Sequence, residues 1–527
     1  MKASYIPRNQ INSFTQQQLM LSENQDQLTE FIGLPFSKEA FLKQIQIKSE
    51  NYIQANRTLI YKVLKSKYDK LNNNAKSLEN IENLLSYDCF TVVTGHQLCL
   101  LTGPIYFVYK ILHVVKQCEE LSKIYPQNKF VPVYWMASED HDFDEIKSIS
   151  IFGKTLSWES NQAGAVGRMT LYGIPEILDG FKEFFQDNGE IENLIQEFKG
   201  KTYGEAFFRF IHSMFAEYGL VIIDGDEREF KQAFAPLMKY EIQSSFSFKE
   251  VNRVNQKLQE RNIKRQVNPR EINLFHLSKT KRELIIRDGI NFKIGDKEFT
   301  EKQIIELIDS EPQAFSPNVI LRPLYQEFLL PNLCYVGGVG ELSYWLQLKG
   351  VFELRQIAYP LIQPRTSMLW IDSVSLQKMG KFNLKILDIL KPINEIKKQI
   401  LLNHESDNLD FDLVDFQFNQ FKNDFSEKAI KIDPAFKSRV GAEFAKIEKQ
   451  IDNLKIQLEK SVKLKHEKSL LGVEQLKNKL FPNNSPQERS VNFFQFCSDG
   501  NFTIRLRDIF SSIEPFNSDF IIIENEN

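Results

Sequence analysis

The chain has 527 residues, 42% of them apolar and 26% charged, with a formal net charge of −3. That length exceeds one ordinary hydrophobic core, so two or three structural units are expected. The near-neutral balance, with no long basic run, excludes the electrostatic footprint of a nucleic-acid binder. No stretch approaches the roughly 18 apolar residues of a membrane span.

Five cysteines, Cys89, Cys99, Cys118, Cys334 and Cys497, are scattered and show no CxxC spacing. This predicts a reducing compartment, the cytoplasm, with neither a disulfide framework nor a structural zinc. The opening MKASYIPRNQINSF lacks the apolar core of a secretory signal.

The first ninety residues read as helices, because segment 41–71 carries apolar residues at helical spacing without Gly or Pro. Strand signals begin at FTVVT (90–94). A glycine-bearing loop follows, then a helix from Pro104 to about 124, with proline suited to the first turn. VPVYWM (131–136) is the next strand, which completes a βαβ unit with a right-handed crossover. Residues 148–160 predict a hairpin, 175–217 helices, GLVIIDG (219–225) a strand, and the stretch to Arg261 helices again. INLFHL, ELIIRDG and FKIG, within 272–297, read as strands. A helix after SPNVILRP (316–323), a strand at 333–336, a glycine-rich turn into a helix at Glu341 and YPLIQPR (359–365) close the alternating region.

From 385 to 482 the character is helical and rich in Lys, Glu, Asn and Gln. Asp433 and Pro434 mark a helix start. Val440, Phe444, Ile447, Ile451, Leu454 and Leu458 step as a heptad seam, and Val414, Phe418, Phe421 and Phe425 form a facing stripe. The pattern resumes at Val462 after an extra four-residue step, a stutter near His466 and Ser469. An antiparallel helical hairpin follows, either dimerising through its spare apolar surface or packed on a core of its own. The tail after Ser485 returns to mixed character and ends on a strand-like FIII (520–523).

Four loops near strand ends can carry chemistry. TGHQLCLLTGP (94–104) offers Thr94, Gly95, His96, Gln97, Thr102 and Gly103 beside a helix N-terminus, an arrangement suited to an anion. Its spacing is neither the P-loop nor the dinucleotide fingerprint, and a Gly-capped turn is the plainer alternative. EDHDFDE (139–145) brings Glu139, Asp140, His141 and Asp142 to a strand end just after Trp135. It suits general acid–base work or a carboxylate-held divalent metal; the alternative is a solvated acidic loop. With one histidine, zinc is not expected. VGGVGE (336–341), with Gly337, Gly338, Gly340 and Glu341 ahead of Tyr344, lets a ligand approach the backbone or lets strand and helix pack closely. Ser316, Asn318 and Arg322 form the fourth segment. Arg322 and, at another strand end, Arg365 are either carboxylate or phosphate clamps or structural ion-pair partners. Their convergence on one crevice favours an enzyme.

TGHQLCLLTGPIYFVYK, VPVYWMASEDHDFDEI, SPNVILRPLYQEFLLPNLCYVGGVGELSYW and PQERSVNFFQF resemble signature blocks of the BshC family, the cysteine ligases of bacillithiol biosynthesis. One departure is His96, where the family usually has glutamine; Gln97 is retained. The resemblance implies an α/β fold: a Rossmann-like parallel-sheet core akin to class I nucleotidyl-transferring synthetases, interrupted by connecting peptides, plus a C-terminal coiled coil that dimerises. The corresponding divisions are 1–384 for the core with its N-terminal helices and insertions, 385–482 for the coiled coil, and 483–527 for a segment returning to the core.

The reaction it implies joins L-cysteine through its carboxyl to the amino group of glucosaminyl-malate. Because a carboxylate is a poor electrophile, activation is needed, most simply by ATP, through an acyl-adenylate or acyl phosphate. The chain has no HIGH or KMSKS sequence, and KMGK (378–381) falls in a predicted helix, so nucleotide use rests on reaction logic and the family fold. On this view 94–104 holds phosphate, His141 or Asp142 accepts the amine's proton, and Arg322, Arg365 and Lys110 face malate's carboxylates. Trp135, Ser316, Asn318 and Tyr344 complete the expected binding set. The alternatives are a nucleotidyl- or acyl-transferase acting on another amino sugar, and a non-catalytic metabolite-binding coiled-coil protein.

Overall fold

The computed structural model describes residues 2–11, 14–185, 189–409, 411–498 and 500–525, leaving aside the side chains of 402–409, 459 and 463. Two compact units emerge, the first built from 3–369 and 487–523, the second mainly from 370–486.

The first unit is organised by a parallel sheet. Its strands, in chain order, are Cys89–His96, Lys129–Met136, Val221–Asp224, Asn332–Gly337 and Leu361–Pro364. Numbered in that order they lie 3-2-1-4-5 across the sheet, the doubly wound arrangement. Both faces are covered, so the strands are near-continuous apolar runs. On one face Phe41 and Ile45 of helix Ala40–Asn51 join Val114, Cys118 and Leu121 of helix Tyr106–Ile124 over Phe90, Val92 and Val336. Pro132 lies in a central strand but just ahead of the Val133–Met136 stretch that pairs with Val221–Asp224, where a missing N–H is tolerated.

Strand order reverses between Cys89–His96 and Asn332–Gly337, whose register pairs Val93 with Tyr335. Their carboxyl ends therefore open a crevice at the topological switch point. Between the third and fourth strands the chain inserts an antiparallel meander, Lys297–Thr300, Asn291–Ile294, Arg282–Asp288, Leu274–Leu277 and Phe315–Pro317 in sheet order. Ser148–Ile151 and Lys154–Ser157 form the hairpin expected near 148–160. The N-terminal region is helical at Gln16–Glu23, Ala40–Asn51, Ala55–Tyr68 and Ala75–Asn83. It opens, however, with strand Lys2–Ile6, which lies beside Phe520–Glu524. All five cysteines are buried.

The second unit is mainly helical among its described residues, Trp370 and Ile371 being the end of strand Ser367–Ile371. Asp412–Ile432 and Phe436–Lys465 form an antiparallel hairpin, with Phe444 set 6.1, 6.0 and 5.8 Å from Phe418, Phe421 and Phe425. Lys422–Glu448 at 2.6 Å and Lys455–Asp415 cross-link the same pair. At the expected stutter the helix breaks: Phe436–Lys465 ends, and Glu467–Leu480 begins after His466. KMGK lies within helix Ser373–Lys381. No described helix is long and apolar enough to cross a membrane.

Candidate active-site crevice

The crevice at the switch point encloses about 890 Å³. Strand-end residues Gly95, His96 and Gln97 form its floor. Trp135, Glu139 and Asp140 stand on the side of strand Lys129–Met136, Arg322, Tyr335, Glu341 and Tyr344 on the side of strand Asn332–Gly337, and Phe275, Arg282 and Asn318 also line it. Gly95 admits this crowding: a Cβ there would meet the Tyr335 hydroxyl at 3.1 Å and the Arg322 guanidinium at 3.5 Å.

Two loops expected to act together are joined directly. Gln97 Nε2 donates to Asp140 Oδ2 at 2.6 Å, while Asp140 Oδ1 accepts from the His141 backbone N–H at 2.8 Å and from Arg282 at 3.2 Å. Burial pushes the Asp140 carboxyl up, but the Arg282 charge and these hydrogen bonds outweigh it and hold the group below its ordinary range. Arg282 also donates to Ser316 Oγ at 3.1 Å and stacks over Phe275 at 4.2 Å. Glu145, also on the wall, is pushed the other way, by burial and then by the Asp142 charge.

On the facing side Lys110 is buried and committed, donating to Gly95 O at 2.7 Å and to Glu341. Glu341 also accepts from the Tyr335 hydroxyl at 3.0 Å. Arg322 is different. It donates to Gln326 at 3.1 Å and to the Tyr344 hydroxyl at 3.3 Å and lies over the Tyr335 ring at 5.6 Å. No carboxylate pairs with it among the described residues, nor with Arg270 at the exposed rim. Asn318 Oδ1 caps the Ile320 N–H at 2.9 Å, which fixes the start of helix Leu321–Leu329 and hence Arg322.

The structure gathers Gly95, His96, Gln97, Trp135, Glu139, Asp140, Asn318, Arg322, Glu341 and Tyr344 on the crevice wall. Other expected residues lie elsewhere. His141 and Asp142 face an adjoining depression of about 610 Å³, separated by the Asp140–Arg282 pair; half-exposed His141 accepts from Arg282 at 3.2 Å. Thr94 is a staple, its hydroxyl donating to Val336 O at 2.8 Å across the sheet. Ser316 is buried against Arg282. Arg365 is the structural ion-pair partner, bound to Glu488 at 2.7 Å, and Lys110 is spoken for by Glu341. Glu139, though on the wall, is salt-bridged to Lys231.

Thr102 and Gly103 belong to a left-handed turn rather than a phosphate cradle: Leu101, Thr102 and Gly103 have φ of 43°, 72° and 61°. Such angles strain a β-branched residue. Asn492 holds the turn, donating to Leu101 O at 2.8 Å and Gly103 O at 2.7 Å. Gly337 serves close packing, since a Cβ would meet Leu342 and Tyr335 at 3.0 Å; Gly338 precedes helix Val339–Trp345, and Gly340 faces open space.

Sequence reasoning missed Arg282, Phe275, Arg270, Glu145 and Tyr106. Glu145 was within the acidic run, and Tyr106 within a quoted block; Arg282 and Phe275 carry no local signal.

Residues 1–366 match a family model described as Bacillithiol biosynthesis BshC, N-terminal Rossmann-like domain, and residues 368–525 its C-terminal coiled-coil domain. Similar proteins include three that bear the name "Putative cysteine ligase BshC". That of Flavobacterium johnsoniae is 37% identical, covering 92% of each chain; that of Flavobacterium psychrophilum is 36% identical over 93% of each. The one from Christiangramia forsetii is 35% identical over 99% of each.

Proposed function

The chain belongs to the BshC family of bacillithiol biosynthesis, and on that premise we propose that it is the ligase joining L-cysteine to the amino group of glucosaminyl-malate. The observation that supports these substrates is the uneven charge balance of the crevice. Glu139, Asp140 and Glu341 each have a cationic partner, whereas Arg322 and Arg270 have no carboxylate among the described residues. Guanidinium forks without carboxylates suit the malate carboxylates. The opposite wall, with Gln97, Asp140 and Glu145, suits an amine.

Asp140 and Glu145 are pushed in opposite directions, and carboxyls separated in this way divide the work of anchor and base. Asp140, fixed by Arg282 and Gln97, stays ionised and attracts the ammonium group. Glu145, held above its ordinary range, takes the proton that the amine must lose as it attacks the nucleotide-activated cysteinyl carbonyl and displaces AMP or phosphate from it. An activating nucleotide, ATP being the simplest, is a cosubstrate of this proposal, because a carboxylate does not react directly with an amine. The exposed apolar residues of the helical hairpin support a homodimer formed through it.

The test is direct. Purified protein with L-cysteine, glucosaminyl-malate and ATP should yield the coupled thiol by mass spectrometry, and Glu145→Gln should lower kcat more than it raises KM. No product with any nucleotide, while cells lacking the gene still make the thiol, would sink the assignment.

A further inference from the structure

His96 and Tyr106 line the crevice and touch each other, and their geometry fixes where two protons lie. The His96 ring places Nδ1 2.9 Å from the Gln97 backbone carbonyl and Nε2 2.9 Å from the Tyr106 hydroxyl. The Cys99 thiol lies 3.7 Å from the same nitrogen, but the shorter contact is to a carbonyl oxygen, which only accepts, so Nδ1 carries the hydrogen. In the neutral ring Nε2 then offers a lone pair, and the Tyr106 O–H donates to it. The phenol oxygen is left with its own lone pairs and no hydrogen to give. Its ring is held by the Arg365 guanidinium, 4.8 Å from the centroid, which is itself anchored to Glu488 at 2.7 Å.

We propose that the Tyr106 oxygen is a substrate-binding acceptor, taking an N–H or O–H from the amino sugar, and that His96 is the positioning residue that sets this polarity. The inference rests on the functional reading above and extends it to a residue pair outside the acidic cluster. Burial, and then the Lys110 charge, push the His96 ring down to about 4. The imidazolium, which would turn Nε2 into a donor and free the Tyr106 hydrogen for the crevice, therefore does not form near neutral pH. Burial likewise raises the Tyr106 phenol, which stays protonated. A site that accepts at this point discriminates against ligands presenting a carbonyl or ether oxygen there, since two acceptors facing each other leave both unpaired.

Two measurements test this. Nitrogen NMR of the full-length protein with labelled histidine, the His96 signals assigned by their loss in H96Q, should show a neutral ring with its hydrogen on Nδ1 at pH 7. Calorimetric titration with glucosaminyl-malate should show Tyr106→Phe binding about two- to tenfold more weakly, the range for one hydrogen bond. His96→Ala should lose as much, and His96→Gln, which also offers a donor and an acceptor, should recover most of it. A hydrogen on Nε2, an imidazolium at pH 7, or unchanged affinity in Tyr106→Phe overturns the inference alone. Absence of glucosaminyl-malate binding by the unaltered protein overturns the functional reading and the acceptor role together, while the ring's protonation still reads out the polarity.

Discussion

The two units treat their large side chains in opposite ways. In the first, Trp135, Trp158 and Trp345 are fully buried, and even the charged Lys110, Lys231 and Arg365 are interior, each with a carboxylate partner. In the second, Leu413, Phe416 and Leu464 are 68%, 67% and 71% exposed, and Phe421, Leu454 and Leu458 are also out in solvent. A crevice walled by buried rings and paired charges, with Arg322 and Arg270 left without a carboxylate among the described residues, acts inward, on small polar molecules. A unit with apolar side chains left along a helical pair presents a surface whose covering would be favourable.

The largest effect that would break this contrast belongs to the crevice. Arg322→Ala should lower kcat/KM by at least about thirtyfold, because losing one member of a desolvated charge pair costs about 2–5 kcal/mol. Thermal unfolding should barely change; a loss under threefold would remove Arg322 from the binding wall. In the second unit, Leu413→Glu combined with Phe416→Glu places charges where a second copy is proposed to cover them, and light scattering should report half the mass of the unaltered protein. If the mass is unchanged, the exposed stripe has some other role.

A subtler difference lies in a buried lysine. Lys477, in the second unit, donates to Ile389 O at 2.6 Å and lies 3.7 Å from the Phe481 ring centre, with no carboxylate partner among the described residues. Burial lowers it to about 8, against roughly 10.4 for an unfolded lysine. Between those values the unfolded chain holds more protons, so stability of this unit rises with pH from about 8 towards about 10; below 8 both states are charged and the cost is constant. Melting curves at pH 7, 9 and 10 should show this rise in the unaltered protein and not in Lys477→Met. An identical rise in both would assign it elsewhere.

The smallest expected effect is Asp140→Asn, raising KM for the amine substrate about two- to tenfold at pH 7. The carboxyl attracts the amine only while ionised, and because Asp140 is depressed in the fold it stays ionised until pH falls below the ordinary carboxylate range near 3.9. Variant and unaltered protein should therefore converge in strong acid, and a gap that persists there would mean that the carboxylate charge is not the agent.

The sheet was largely readable from the chain, because strands buried on both faces must be apolar runs and their polar carboxyl-end loops mark the crevice. The helical hairpin was readable from its heptads, and the break at His466 from the four-residue step. What escaped depends on distance along the chain. Arg282 and Phe275 reach the crevice only because their meander folds back on Phe315–Pro317. Arg365 looked equally suited to a clamp or an ion pair until Glu488, 123 residues away, took it. The sequence offers His141 or Asp142 as proton acceptor, yet Asp140 is the residue tied to Gln97 and Arg282, and His141 and Asp142 face the adjoining depression. Strand Lys2–Ile6 is short, and its neighbour lies more than five hundred residues on, beyond any local pattern.

The hold of Asn492 on the left-handed turn at Leu101–Gly103 has a consequence in time. A chain made from its N-terminus completes the crevice-forming strands, the last of them ending at Pro364, well before the Asn492 amide that secures the turn leaves the ribosome. Until then Thr102 has no reason to keep its strained backbone, and the floor that bears His96 is unfinished. A product of interrupted synthesis ending before Asn492 lacks the amide that secures the turn, so the crevice floor takes its final shape only after Asn492 has joined the fold.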